Sequence, residues 1–299
     1  MSQSNINRYI NPTSSRRHDE ITLLINHAKN LFEETDNEST KLYNSICRSI
    51  SILLVSHLEG FIKDFTKEVI LDINEFVDFK DINKNVKRQY ISNLMVDLKD
   101  EKTYAKNHNK KIEELIVKFE NIDNDIKKSI DNIIGNDNLF KKNYIEIPHE
   151  PFLVKDNKNP KANILNYVCK NFGIDNIFAY LKESTLEIVF ENDKLETDIL
   201  IKQIYNDLIN ATADYPFSIK YDEYALEKST IIKKEKTNWE EFLENLLNIR
   251  HQIVHGSTLE NITNHNELKD FEQKTILIQY GIILLLIHSN FTTEVSCHE

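Results

Sequence analysis

Apolar residues recur at helical spacing along most of the chain. Ile21, Leu24, Ile25, Ala28, Leu31 and Phe32 share one face of a helix predicted from Asp19 to Glu34. Beyond the acidic turn TDNEST, a second helix is predicted from Lys41 to Phe76. One of its apolar stripes passes through Ile46, Ile50, Leu53, His57 and Phe61, and another through Ile52, Val55, Glu59 and Ile62. A helix that is apolar on two sides belongs between neighbours rather than on a surface. His57, placed on such a stripe, reads first as a core histidine.

The middle of the chain is less regular. Helical periodicity returns around Val86–Leu98 and Ile112–Ile134, and then Pro148, Pro151 and Pro160 mark a stretch no helix can cross. NPKANILNYVCKNFGI predicts a short helix ending at Gly173, TLEIVF reads as a candidate strand, and Leu195–Asn210 is again helical. Thr237-Asn238-Trp239-Glu240 fits a capping box, with Thr as N-cap and Glu at N3. The helix it opens runs to His255, and Gly256 suits the left-handed position just past a helix end. A last helix, Glu267 to Ser289, contains the apolar run Ile276–Ile287. The elements predict an all-α protein, an antiparallel four-helix bundle built from 19–76 and 237–292. A large, mostly helical insertion over 77–236 separates its second and third helices, and residues 1–18 form a flexible arm.

Composition removes several functions. The chain has 299 residues but only five glycines, no two of them within twenty residues, so no Gly-rich phosphate loop can be written. A net charge of −11 argues against non-specific coating of nucleic acid, which needs surplus Lys and Arg, though it leaves a local grip open. The basic islands Lys110-Lys111, Lys141-Lys142 and Lys233-Lys234-Glu235-Lys236 read as solvated helix ends and loops. Cys47, Cys169 and Cys297 are odd in number and widely spaced, which suggests neither a disulfide framework nor a zinc knuckle. No apolar core of signal-peptide length opens the chain, and the Ile276–Ile287 run is short for a membrane span. A cytoplasmic protein without a membrane partner is expected.

The informative segment is Asn248-Ile249-Arg250-His251-Gln252-Ile253-Val254-His255-Gly256. Trp239, Phe242, Leu243, Leu246 and Ile253 cluster on one helix face, and Arg250 falls near its centre. A guanidinium there must find a carboxylate, backbone carbonyls or a ligand phosphate. A structural Arg–carboxylate pair inside the bundle is the plain alternative. On an ideal helix His255 points about 140° away from Arg250. The two can share a site only if the last turn loosens or His255 works toward a second subunit. His251 and His255, at i and i+4, can also chelate a metal, but spacing fixes no third ligand. His149-Glu150 does not begin H-E-x-x-H, because Leu153 takes the required place.

Arg250-x4-His255-Gly256, closing the third bundle helix, resembles the R-x4-6-H signature of HEPN domains. SHLEGFIKDF, Ser56 to Phe65, is similar to the second-helix segment of RiboL-PSP-type HEPN proteins. The resemblance covers 19–76 and 237–292. It implies a homodimeric, metal-independent endoribonuclease that needs no cofactor and cuts RNA such as tRNA or mRNA. In that role Arg250 holds the scissile phosphate and His255 acts as general base or acid. The ribose 2′-OH attacks, leaving a 2′,3′-cyclic phosphate and a 5′-OH. His251 stands where many members carry Asn or Asp, so hydrogen bonding and auxiliary acid/base work both stay open. Glu59 matches an acidic position of the second helix and is expected to pair with Arg250 and orient it. The implied setting is a toxin or antiphage-defence effector with an antitoxin or defence-system partner. Ser257 stands where toxins silenced by AMP addition carry a tyrosine, so that route is not expected. Two rival readings use the same bundle. One is a non-catalytic module binding RNA, a nucleotide or a partner; the other is a scaffold or sensor subunit of a defence system.

Overall fold

Nine α-helices and no β-strand occur among the residues described by the computed structural model, which are 3–34, 36–96, 147–153, 159–191, 194–227, 236–256 and 263–291. In chain order they are α1 (Asn5–Arg8), α2 (Ser15–Phe32), α3 (Asn37–Phe76), α4 (Lys84–Val96), α5 (Ala162–Lys170), α6 (Ile177–Leu181), α7 (Lys194–Ala211), α8 (Asn238–Val254) and α9 (His265–Phe291). The helix expected around Ile112–Ile134, the basic islands at 110–111, 141–142 and 233–235, and Ser257 lie outside the described residues.

The segment expected as a strand is instead a 3₁₀ turn, Thr185–Phe190. Its buried side chains, Leu186 and Val189, are three residues apart, which matches three residues per turn and not the alternation of a strand. Ser184 starts the turn by accepting from the Leu186 N–H at 3.3 Å.

The stretch 1–18, expected as a flexible arm, is anchored where it is described. α1 and the helical turn at Tyr9–Ser14 bury Ile6, Tyr9 and Ile10, and α2 already begins at Ser15. The anchor is Asp72 of α3, fully buried. Its carboxylate accepts from Ser4 Oγ at 2.6 Å, the Asn5 N–H at 2.7 Å, Asn5 Nδ2 at 2.8 Å and the Ile6 N–H at 3.0 Å. Those donors lie at a helix N-terminus, where amide N–H groups lack partners and negative charge is favoured. Asn7 then donates to the Ile209 carbonyl at 2.8 Å and Thr212 Oγ1 at 3.0 Å, joining the same segment to the end of α7.

α2, α3 and α9 pack on one another, and α8 packs on α3. Arg17 meets Asp64, Glu20 meets His57 and Phe32 meets Tyr43, so contacts step backward along α3 as they advance along α2. The two helices are therefore antiparallel. His18 with Gln279, Thr22 with Glu272 and Phe32 with His265 show the same reversal between α2 and α9. Every residue from Ile276 to Ile287 is buried, each large apolar side chain contributing about 1.5–3 kcal/mol. Gly281 lies where α9 passes Leu181 too closely for a Cβ. Both α3 and α9 are long and apolar enough to cross a membrane by composition, but 83% of the relevant α9 window is buried inside the protein.

The middle of the chain leans on the same helices. α7 packs along α9, with Gln273 Nε2 donating to the Lys194 carbonyl at 3.1 Å and Asp198 Oδ1 at 2.9 Å. α5 and α6 pack against α8. Cys47 in α3 and Cys169 in α5 are both buried thiols, and burial pushes the Cys169 thiol up to about 12.

Candidate functional site

The site is built on α8, whose two ends are fixed by local chemistry. Thr237 accepts from the Glu240 N–H through Oγ1, and Glu240 accepts from the Thr237 N–H at 2.9 Å. This reciprocal capping box is the one its sequence predicts. At the other end Gly256 takes φ +64°, the left-handed conformation that glycine adopts without a Cβ penalty. Trp239, Phe242, Leu243, Leu246, Leu247 and Ile249 are buried between these caps, and Ile253 packs against the core at its edge.

Arg250 is half-buried beside this face. Its Nε is shut off from solvent without a hydrogen bond, and the guanidinium makes no ion pair among the described residues. A buried donor left unpaired costs about 1–3 kcal/mol, more for a charged group. Other buried polar atoms lack partners too, among them His57 Nδ1 and Trp239 Nε1, but those side chains carry no permanent charge. Arg88 Nε is also orphaned, yet Arg88 donates to Asn85 through Nη1.

The expected Glu59–Arg250 pair is not formed. Glu59 is ion-paired with Lys63 at 2.9 Å. Four residues along one helix places the ammonium directly over the carboxylate, so the local partner wins without reaching to another helix.

His255 ends α8 but does not unwind it. Its N–H still donates to the His251 carbonyl at 3.0 Å, with φ −86° and ψ 3°. The loosening that would turn His255 toward Arg250 has therefore not occurred: Arg250 lies at the packed side and His255 is exposed. His251 is exposed as well, and the two imidazoles stand with ring centroids 4.1 Å apart. They can offer two nitrogens to a metal, but among the described residues no group of three His, Cys, Asp or Glu side chains converges.

A second polar cluster was not singled out from the sequence. His57, Gly60, Asp64, Glu68 and Asp72 recur every three or four residues as a polar stripe along α3. Arg17 of α2 donates to Asp64 Oδ2 at 2.7 Å and to Tyr9 Oη at 3.2 Å, and its guanidinium lies 3.3 Å from where a Cβ on Gly60 would be. A Cβ at the glycine of SHLEGF would press on the tip of Arg17, which would have to give by a few tenths of an ångström. His57 Nε2 stands 3.3 Å from Glu20 Oε2; burial lowers its pKa while Glu20 opposes the shift.

His18 faces Gln279 Oε1 at 3.1 Å through Nε2, and an amide oxygen accepts, so that ring nitrogen carries a proton. Burial lowers the His18 pKa from its usual 6.5 to about 4, against the Gln279 hydrogen bond, which raises it. The unfolded ring therefore takes up a proton first, and the contribution of neutral His18 is complete above pH 6.5 and lost as pH falls toward about 4. Urea titrations across that window are expected to show falling stability, and His18→Gln is expected to flatten the decline.

A family model for RiboL-PSP-HEPN matches residues 15–285. The chain belongs to the RiboL-PSP-HEPN family. The match spans α2 to most of α9, so the segments around α4 to α7 fall within the RiboL-PSP-HEPN region together with Arg250, His251, His255 and Glu59. No curated protein and no solved structure matches the chain.

Proposed function

We propose that this RiboL-PSP-HEPN protein is a metal-independent endoribonuclease, and that α2, α3, α8 and α9 are the four helices of its HEPN bundle. The observation that carries the reading is Arg250, a half-buried cation without a protein partner among the described residues, five positions before an exposed histidine. Such a group is suited to an anion brought by a ligand, and a phosphodiester supplies one.

In the proposed reaction a base removes the ribose 2′-OH proton as the 2′-oxygen attacks phosphorus. The P–O5′ bond breaks, and the leaving oxygen takes a proton to become a 5′-OH. Arg250 stabilises the charge that gathers on the phosphoryl oxygens. His255 and His251, with rings 4.1 Å apart, are close enough to divide the proton removal and the proton delivery between them. Because Arg250 and His255 diverge on an intact helix, a homodimer is proposed in which Arg250 of one copy works with His255 of the other. The proposed setting is a toxin or defence effector acting on tRNA or mRNA in the cytoplasm, under the control of a partner.

Incubation with total tRNA and mRNA in excess EDTA, followed by mapping of the ends, tests this. Fragments with 2′,3′-cyclic phosphate and 5′-OH termini are expected. A strict need for a divalent ion would shift the chemistry to the His251–His255 pair. Tight RNA binding without product would favour the non-catalytic module, which the unpaired Arg250 also suits.

A further inference from the structure

Between the start of α5 and the middle of α8 lies an open cavity of about 270 Å³. Its α8 wall is formed by Glu240, Glu244, Leu247 and Asn248, and its α5 wall includes Lys161 and Asn163. We infer that this groove is a base-recognition subsite for the single-stranded RNA nucleotide next to the scissile phosphate, an inference that rests on the ribonuclease reading.

Helix geometry links the groove to the histidine pair. Seven residues are nearly two turns, so Asn248 and His255 point within about 20° of each other and lie about 10 Å apart along α8. Because the His255 N–H keeps its bond to His251, this stripe continues unbroken to the helix end. The groove therefore opens on the exposed side from which His255 is reached, at the distance of an adjoining nucleotide.

The chemistry of the walls suits a base better than a phosphate, since one lysine stands against two carboxamides once the paired groups are set aside. The two carboxylates are already engaged: Glu240 in the capping box and Glu244 with Lys236 Nζ. With Lys161 and Lys236 balancing Glu240 and Glu244, the lining carries no net charge. Beside the Lys161 ammonium, what remains free is a pair of exposed carboxamides, Asn163 and Asn248, whose side chains make no hydrogen bond among the described residues. Each presents a donor and an acceptor side by side, the pattern that reads the edge of a base. Leu247 supplies apolar surface beneath them. Tyr167, four residues beyond Asn163 on the same face of α5, is 54% exposed and offers a ring on which a further base can stack.

The test uses the full chain and uncleavable probes, fluorescein-labelled 2′-O-methyl hexanucleotides of A, C, G and U, read by fluorescence anisotropy. The intact protein is expected to prefer one base by about fivefold or more, and Asn248→Ala and Asn163→Ala are each expected to erase most of that preference. Tyr167→Ala is expected to weaken all four probes alike. Equal binding of the four by the intact protein, or an unchanged preference in both Asn variants, would overturn the subsite. The measurement needs no cutting. Base discrimination without any cleavage of natural RNA removes the nuclease reading and leaves the groove, while cleavage with a base preference untouched by the Asn variants removes the groove and leaves the nuclease.

Discussion

Arg250→Ala and His255→Ala are each expected to lower RNA cleavage by about a thousandfold, taking it below detection in an end-mapping assay, with circular dichroism unchanged. The size follows from what each group does: a positioned proton-transfer residue contributes about 10²–10⁴ in rate, and removal of a charge-stabilising donor costs about 10²–10³. Folding is expected to survive, because His255 is exposed and Arg250 loses no protein partner among the described residues. Mixing the two inactive variants separates a site within one copy from a site across two. If Arg250 of one copy works with His255 of another, random reassortment restores about a quarter of the wild-type rate, since half the dimers are mixed and each holds one intact site. A mixture as dead as its components would confine the chemistry to a single chain, and undiminished cleavage in both variants would end the assignment.

Asp72→Ala is expected to cost on the order of 3 kcal/mol, a large part of a typical 5–15 kcal/mol domain stability. The carboxylate is buried and accepts four hydrogen bonds from Ser4, Asn5 and Ile6, so alanine strands those donors at the first turn of α1. Asp72→Asn restores the shape but turns an amide donor toward other donors, and is expected to recover only part of the loss. Urea denaturation gives the magnitude, and limited proteolysis gives the place, with early cuts expected within residues 3–14. A variant as stable as the parent and uncut there would mean that Ile6 and Ile10 alone hold the segment.

What could be read from the sequence follows the range of each interaction. The ends of α8 were legible because Thr237, Glu240 and Gly256 act within a few residues of themselves. Gly173 takes φ +96° in the turn just past its short helix, which ends at Lys170. The run TLEIVF misled because Leu186 and Val189, three apart, look like strand residues until their shared burial is known. The N-terminal anchor was illegible, since the partner of Asn5 is 67 residues away. The polar stripe His57–Gly60–Asp64–Glu68–Asp72 was written in the sequence, yet its meaning depended on Arg17 and Glu20 arriving from α2. At the proposed site, Arg250 and His255 stand out by their motif, and their angular divergence by counting residues. Glu59 was placed by resemblance, and neither Lys63 as its partner nor the orphaned Arg250 Nε follows from a family pattern.

The two buried thiols also make this protein able to report its own opening. Cys47 sits inside α3 and Cys169 inside α5, so an alkylating reagent reaches neither while the native packing holds. With Cys297 replaced, pulses of such a reagent would time the exposure of each sulfur separately. One clock would follow the long central helix and the other the segment beside α8, showing whether they come apart in one event or in two.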